Sequence, residues 1–170
     1  MSAEFDISMT PKAMRNYRFY HKYTRFSGII EILLGLFLAV FGIFTIGRTE
    51  ITYTIMVCFA AAFFLVIMPA GMAVRAGKTV STSKRFKAPT HYYMDDEKMV
   101  VSMAGDDGQD ISATVSYNDI YSVRENKVSL FVYFTPVSAN ILPKDQLGSQ
   151  LDTVKNIFKN NMKPFTTKLK

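Results

Sequence analysis

Two long apolar runs separated by four residues constrain this chain more than any other feature. Residues 27–46 (SGIIEILLGLFLAVFGIFTI) and 51–74 (ITYTIMVCFAAAFFLVIMPAGMAV) carry a single formal charge between them, that of Glu31. Twenty residues of helix span about 30 Å, the thickness of the hydrocarbon core of a bilayer. The sequence therefore predicts a transmembrane hairpin over 27–74, with spans at 27–46 and 51–74. A buried hairpin of a soluble protein is the alternative.

The basic residues that flank the hairpin predict its orientation. Five Lys and Arg residues precede the first run and five follow the second, whereas the connecting residues hold only Arg48, offset by Glu50. Short cytoplasmic segments are enriched in Lys and Arg. We therefore expect a multi-pass protein of the cell membrane with cytoplasmic N- and C-termini. The flanking residues are Lys12, Arg15, Arg18, Lys22 and Arg25 before the hairpin, and Arg75, Lys78, Lys84, Arg85 and Lys87 after it.

The same ten residues form a candidate surface for anionic lipid. Residues 11–26 begin with a helix-capping pair, Thr10 and Pro11, and their five cations recur at helical spacing, which predicts a basic amphipathic juxtamembrane helix continuous with the first span. Each cation near an anionic leaflet contributes about 1 kcal/mol to membrane binding. The alternative is that these charges only determine topology. A nucleic-acid partner is not expected, because the basic residues lie next to the predicted membrane.

Polar and small residues within the hairpin are a second group of candidates. Glu31 is the intramembrane polar candidate: it either lies at headgroup depth and helps pack the hairpin, or it contacts a partner or an ion. Small residues recur in both runs, at Gly28, Gly35, Ala39, Gly42 and at 60–62, and they predict close packing of the two helices.

The remainder of the chain has the pattern of a small soluble domain. Residues 75–90 are polar and basic and predict a linker, and residues 91–170 alternate with the period of β-strands before one amphipathic helix near 151–162. That helix has an apolar face and an opposite stripe of lysines at positions 155, 159 and 163, which we expect to face solvent. Residues 1–10 also alternate, at Phe5, Ile7 and Met9, and predict an N-terminal strand that either adds to the edge of the same sheet or packs on its surface. The predicted fold is thus an α-helical membrane hairpin plus a cytosolic α+β domain, mostly antiparallel β, with a C-terminal helix.

The sequence offers little chemistry for catalysis or metal binding. Residues 105–108 (GDDG) predict a hairpin turn, and the nearby acids Asp106, Asp107 and Asp110 lack the spacing of a calcium-binding loop. One cysteine, Cys58, and two distant histidines form no metal-ligand pattern, and no nucleophile or phosphate-loop motif is present. We expect a protein that is not an enzyme and that uses no metal and no cofactor.

Five segments carry a resemblance to a known family. Two lie near the N-terminus, EFDISMT and MRNYRFYHKY. The others are HYYMDDEKMVV, with Asp95 and Asp96; ATVSYNDIYSV, with Tyr117, Asp119 and Ile120; and the closing strands that end at Pro143 and Lys144. The chain resembles the YcxB-like family of bacterial two-span membrane proteins, although Tyr117 stands where that family commonly has Trp. The resemblance implies a cytosolic domain similar to the pleckstrin-homology (PH) fold, and it supplies no catalytic residues.

These observations predict a non-enzymatic membrane protein whose PH-like domain binds a protein or lipid at the inner face of the membrane. The expected partners are the anionic inner leaflet and another membrane or cytosolic protein, and a homo-oligomer stays open. One alternative is an immunity or resistance protein that protects the producing cell from a secreted toxin or bacteriocin. A further alternative, suggested by Glu31 alone, is an accessory subunit of a transporter.

Overall fold

The computed structural model describes residues 1–104 and 110–169, apart from the side chains of Arg85, Ala104 and Asp110. The chain divides into two compact units. Met1–Tyr17 and Lys78–Lys170 form the first, called here the β unit, and Arg18–Gly77 form the second, called the hairpin unit. The hairpin turn predicted at 105–108 and the acids at 106 and 107 lie outside the described residues.

Long apolar helices form the hairpin unit. After helix α1 (Pro11–Tyr23) comes α2 (Phe26–Thr45), and a second long helix then runs without a break as α3 (Ile51–Ala62), a π-helical turn (Phe63–Ile67) and α4 (Met68–Thr82). Within the described chain, two helices, 26–45 and 51–82, are long and apolar enough to cross a membrane. The second helix continues past the apolar run that ends at 74, so the predicted linker of 75–90 begins as helix.

Two glycines let the long helices approach each other closely. A Cβ atom at Gly35 would lie 2.7 Å from Cδ2 of Leu65, and one at Gly42 would lie 3.1 Å from Sγ of Cys58. The two glycines are seven residues apart and therefore share one face of α2. Small residues at such a face bring helix backbones together. The packing role predicted for these glycines is confirmed.

The predicted continuity between the juxtamembrane helix and the first span is wrong. Helix α1 ends at Tyr23, and Arg25 has the extended backbone angles φ −97° and ψ 152° before α2 begins at Phe26. The Thr24 hydroxyl donates to the carbonyl of Tyr20 at 2.6 Å in the last turn of α1. A Cβ atom at Gly28 would lie 2.2 Å from the carbonyl oxygen of Lys22, so the turn between the helices requires glycine at this position. Arg25 is consequently outside α1, and the five basic residues do not form one helical stripe.

The first sheet of the β unit joins the segment before the hairpin unit to the segment that follows it. Its strands are β1 (Ala3–Ile7), β2 (Thr90–Met94), β3 (Lys98–Ala104) and β4 (Asp110–Ser116), in that order and all antiparallel. Phe5 pairs with Tyr92, and their rings stack at 5.4 Å. The predicted edge strand is confirmed for Phe5 and Ile7, while Met9 lies beyond the end of β1. In the sequence, the whole hairpin unit is therefore inserted between β1 and β2, two strands that are hydrogen-bonded neighbours in the sheet.

The second sheet follows directly in sequence and ends in a short parallel pair. Strands β5 (Ser122–Glu125), β6 (Ser129–Tyr133) and β7 (Ala139–Pro143) are antiparallel neighbours. Helices α5 (Lys144–Leu147) and α6 (Leu151–Asn161) come next, and strand β8 (Thr167–Lys168) returns to pair parallel with β5. The predicted antiparallel domain with a C-terminal helix is confirmed. Strand β8 was not predicted, because two residues are too few to show a period.

Helix α6 closes one side of the core. Val154, Ile157 and Phe158 on α6 are completely buried and belong to the same cluster as Leu130 and Val132 of β6. Strand residues two apart share a face, so Leu130 and Val132 together meet the apolar face of α6. Val128, two residues before Leu130, is outside this cluster and exposed.

The other side of β6 is buried as well. All five residues of this strand are buried, and Phe131 and Tyr133 point away from α6 toward the ring of Tyr17, at 5.6 and 6.3 Å between ring centroids. Tyr17 lies on α1, whose start is capped by a hydrogen bond from the Ala13 N–H to the Thr10 hydroxyl at 3.1 Å. The first half of α1 is thus part of the β unit and covers one face of the second sheet.

The lysine stripe predicted on α6 is wrong at its first position. Lys155 is mostly buried, and its Nζ donates to Oε1 of Glu125 at 3.1 Å; Lys144 donates to the same oxygen. Only 4% of the Glu125 side chain is exposed, so two ammonium groups compensate one buried carboxylate. A buried carboxylate needs such partners. Lys159 and Lys163 are exposed, as predicted.

Replacing Phe158 by Ala should destabilise the β unit by about 3–5 kcal/mol, because a fully buried ring is removed from a closely packed core. The measurement is urea denaturation of the detergent-solubilised full chain, followed by the circular dichroism of the β-sheets. The control is Phe165→Ala, since Phe165 is 77% exposed and its loss should change the free energy of unfolding by less than about 0.5 kcal/mol. Equal stability of the two variants would contradict the burial of α6.

Deletion of residues 1–9 should expose the edge of β2. Its backbone N–H groups, which pair with β1 over residues 90–94, should then exchange with solvent faster in the full-length remainder of the chain. Hydrogen exchange with mass spectrometry measures this directly, and the β5–β6 pair serves as the internal reference. Unchanged protection of 90–94 would show that β1 contributes no stability to the sheet.

Candidate functional site

The basic residues predicted to face anionic lipid are divided between the two units. Five of them lie in the β unit and are exposed: Lys12, Arg15, Lys78, Lys84 and Lys87. Four lie in the hairpin unit: Arg18, Lys22, Arg25 and Arg75. The side chain of Arg85 is outside the described residues. The predicted lipid contacts of all ten stay a prediction, but the hairpin unit brings three of its four cations together at one groove.

Glu31, the candidate within the first apolar run, forms an ion pair. Its Oε2 lies 2.7 Å from Nζ of Lys22, with 27% and 24% of the two side chains exposed. The turn at Thr24–Arg25 makes this possible, because it brings the end of α1 against the first turns of α2, where Gly28 touches the backbone of Lys22. Of the two roles predicted for Glu31, this geometry favours packing within the hairpin.

A groove in the hairpin unit is lined by both apolar and basic residues. Its volume is about 480 Å³, within the range of small-molecule sites in proteins. Arg18 and Lys22, one helical turn apart on α1, line it together with Arg75 on α4. The apolar lining comes from the π-helical turn and α4: Phe63, Ile67, Met68, Gly71 and Met72. Among the described residues that line the groove, none is acidic.

The π-helical turn that lines this groove has a cause in the sequence. Pro69 has no backbone N–H, and its ring crowds the carbonyl of the residue four positions earlier. The chain responds with a wider turn over Phe63–Ile67, in which the N–H of Met68 donates to the carbonyl of Phe63. Both Phe63 and Ile67 line the groove. Single π-helical turns inside α-helices are frequent at functional sites.

The groove residues outside the basic flanks were not identified from the sequence. A signal was nevertheless present: residues 63, 67, 71 and 75 recur every four positions, which places them along one side of a helix. That row ends in Arg75 and includes Gly71. Neither residue indicates a site by itself, and the second wall comes from α1, which only the turn at 24–25 brings into place.

The β unit contains a second, smaller cavity of about 130 Å³. It lies between the start of α1 and the sheets, and its lining includes Met9, Met14, Tyr17, Tyr92 and Ile141. Its lining brings together thioether, aromatic and aliphatic side chains, which can contact an apolar group but provide no charge. Among the described residues, no group of three His, Cys, Asp or Glu side chains is placed to hold a metal ion.

Tyr117 joins three segments of the β unit that the sequence presented as separate motifs. Its hydroxyl donates toward the carbonyls of Asp95 at 2.6 Å and Lys98 at 3.1 Å, and its ring meets that of Phe158 edge-on at 6.1 Å. Burial raises the pKa of the Tyr117 hydroxyl well above its usual value, and the carboxylates of Asp95 and Asp96 raise it further. The hydroxyl is therefore a donor at physiological pH.

Asp95 organises the turn that Tyr117 anchors. Its Oδ1 accepts hydrogen bonds from the N–H groups of Glu97 and Lys98, both at 2.8 Å, and these bonds lower the pKa of Asp95 below the ordinary 3.8. A carboxylate with a lowered pKa in the folded state stabilises the fold above its unfolded pKa, and this contribution is lost as the pH falls through the lowered value. The turn is therefore intact at neutral pH.

The described chain thus combines two helices of membrane-spanning length with an antiparallel β domain closed by a C-terminal helix. The family model of the YcxB-like protein matches residues 95–158. This match to the YcxB-like family confirms the resemblance found in the sequence. It begins at Asp95 and ends at Phe158, the two residues that Tyr117 joins. No curated protein and no solved structure matches the chain.

Replacing Tyr117 by Phe should lower the free energy of unfolding of the β unit by about 1 kcal/mol, because the hydroxyl is lost while the ring contact with Phe158 is kept. The control is Tyr121→Phe, at a position that is 52% exposed. Chemical denaturation of both variants measures the difference. A Tyr117 variant as stable as the Tyr121 variant would show that the hydrogen bonds to Asp95 and Lys98 contribute nothing.

Proposed function

We propose that this chain is a non-enzymatic, multi-pass protein of the cell membrane. Its N- and C-termini are cytoplasmic, and its β unit is a PH-like module that binds a protein or lipid at the inner face. The observation that carries the proposal is the apolar surface of the hairpin unit. Large apolar side chains on both long helices are more than 60% exposed, among them Phe37, Ile43, Phe44, Met56 and Phe59. Soluble proteins rarely expose apolar surface of this extent.

Strand pairing in the β unit supports the proposed topology independently of the flanking charges. Strands β1 and β2 precede and follow the hairpin, and their residues 3–7 and 90–94 are hydrogen-bonded partners. Hydrogen-bonded strands of one sheet lie on the same side of a membrane. The segment between them must then cross the bilayer an even number of times, which agrees with two spans. The excess of Lys and Arg on both flanks supports the cytoplasm as that side.

The arrangement of strands supports the PH-like assignment. An antiparallel sheet of four strands is followed by a sheet with three consecutive antiparallel strands, and a C-terminal helix packs into the core. In this interpretation β1 is the first strand of the module, and the hairpin is an insertion before its second strand. Modules of this kind act by binding, and this agrees with the non-enzymatic role proposed here.

The two alternative functions differ in their support. The transporter alternative depended on Glu31, and this carboxylate pairs with Lys22 inside the hairpin unit. No other feature of the described residues favours transport. The immunity alternative is compatible with a two-span protein and is tested by the neighbouring genes, since a toxin or bacteriocin cluster would support it.

Cysteine labelling in intact cells tests the proposed topology. In a chain with Cys58→Ala, single cysteines are introduced by Thr49→Cys between the spans and by Lys127→Cys at an exposed position of the β unit. A membrane-impermeant maleimide should label position 49 from outside, whereas position 127 should react only after the cells are permeabilised. Labelling of 127 in intact cells, or failure of 49 to react without permeabilisation, would contradict two spans with both termini inside.

A further inference from the structure

The groove between α1 and α4 has the chemistry of an amphiphile site. Its lining includes three cationic side chains, Arg18, Lys22 and Arg75, and the remainder consists of aromatic, aliphatic and thioether groups and one glycine. The two parts lie within the hairpin unit, so they belong to one compact unit of the fold. A ligand that fits both parts needs a compact negative group and an apolar extension.

We propose that this groove binds one anionic phospholipid of the inner leaflet. Its phosphate and acidic headgroup meet Arg18 and Arg75, and one acyl chain lies along Phe63, Ile67 and Met72. This proposal rests on the proposed insertion of the hairpin in the membrane. It adds a defined lipid site to the proposed function. This site is separate from any partner that the β unit binds.

The cations of the groove differ in the geometry of their charged groups. Lys22 is shared with Glu31 at 2.7 Å, so part of its charge is already compensated. Arg18 and Arg75 present guanidinium groups, which bind phosphate oxygens in a bidentate manner that ammonium groups cannot match. Basic pockets between membrane helices on the cytoplasmic side are suited to acidic headgroups.

The position of these residues in the sequence agrees with the interface between headgroups and hydrocarbon. Arg75 follows the last residue of the second apolar run, and Arg18 and Lys22 precede the first run. Phe63 and Ile67 lie inside the second run, about three and about two helical turns from Arg75. A lipid with its phosphate at the arginines would therefore extend its chain toward the apolar part of the unit.

Gly71 makes the groove testable. Gly71 lines the groove, and a Cβ atom there would meet nothing within 4 Å, so a side chain at this position starts from open space in the groove wall. Gly77 on the same helix also has open space at its Cβ position, and it is not part of the lining. Both positions have ordinary helical surroundings in α4, so Gly→Leu has the same intrinsic effect on the helix at each.

The experiment uses the full chain in detergent, titrated with phosphatidylglycerol or phosphatidylcholine of identical acyl chains and followed by native mass spectrometry. We expect a one-to-one adduct that survives activation with phosphatidylglycerol and not with phosphatidylcholine. Arg18→Gln with Arg75→Gln should weaken this binding by about 30-fold, as expected for two lost cationic contacts. Gly71→Leu should abolish the adduct, whereas Gly77→Leu should retain it.

Several results would overturn the site. Equal retention of both lipids, or an adduct that Gly71→Leu leaves intact, would show that the groove does not hold the lipid. Displacement of phosphatidylglycerol by inorganic phosphate at equal concentration would show an anion site that makes no use of the acyl chain. Equal loss of binding in the Gly71 and Gly77 variants would show a general effect on α4.

Carbonate extraction of membranes separates this proposal from the one on which it rests. A chain that is released by carbonate is not inserted, and the two-span proposal fails together with the lipid site. A chain that stays in the membrane fraction but shows no preference for phosphatidylglycerol refutes the lipid site alone.

Discussion

The pairing of β1 with β2 is the constraint on which the rest of this structure depends. Phe5 and Tyr92 are partners in the sheet although the whole hairpin unit separates them in the chain. Because these strands are neighbours, the two flanks of the hairpin must start and end close together, and the β unit cannot be completed by the residues after the hairpin alone. The N-terminal residues are therefore a structural part of the domain.

Strand β6 also depends on segments from before and after the hairpin, because helices from opposite ends of the sequence cover its two faces. Helix α6 packs on Leu130 and Val132, while the first half of α1 supplies Tyr17 to Phe131 and Tyr133. Tyr17 also donates a hydrogen bond from its hydroxyl to the carbonyl of Val137 at 3.2 Å, beyond the end of the strand. A buried strand of this kind ties the segment before the hairpin to the segment after it at a second place, independent of β1.

Local patterns predicted most elements of the fold, and contacts between distant residues account for the failures. Alternation identified β1 and the strands between 90 and 143, and helical spacing identified α6, since each pattern reports burial on one face. The break at 24–25 was missed because it depends on contact between Gly28 and the Lys22 carbonyl. Lys155 was assigned to solvent because its partner, Glu125, lies on another element. For the candidate site, the cations were predicted individually, but their convergence on one groove requires both the break after α1 and the π-helical turn before Pro69.

The insertion of the hairpin within the sheet has a consequence for biosynthesis. The ribosome produces β1 and α1 first, and their partner β2 emerges only after both long helices have been synthesised. Contacts between such distant residues slow folding, because the intervening loop must close before they form. In the proposed two-span topology, insertion of the two helices would bring the ends of that loop to one side of the membrane and shorten the search. Delivery to the bilayer would then precede and promote closure of the sheet, and a nascent chain that is not inserted would retain an open β2 edge available to chaperones or aggregation.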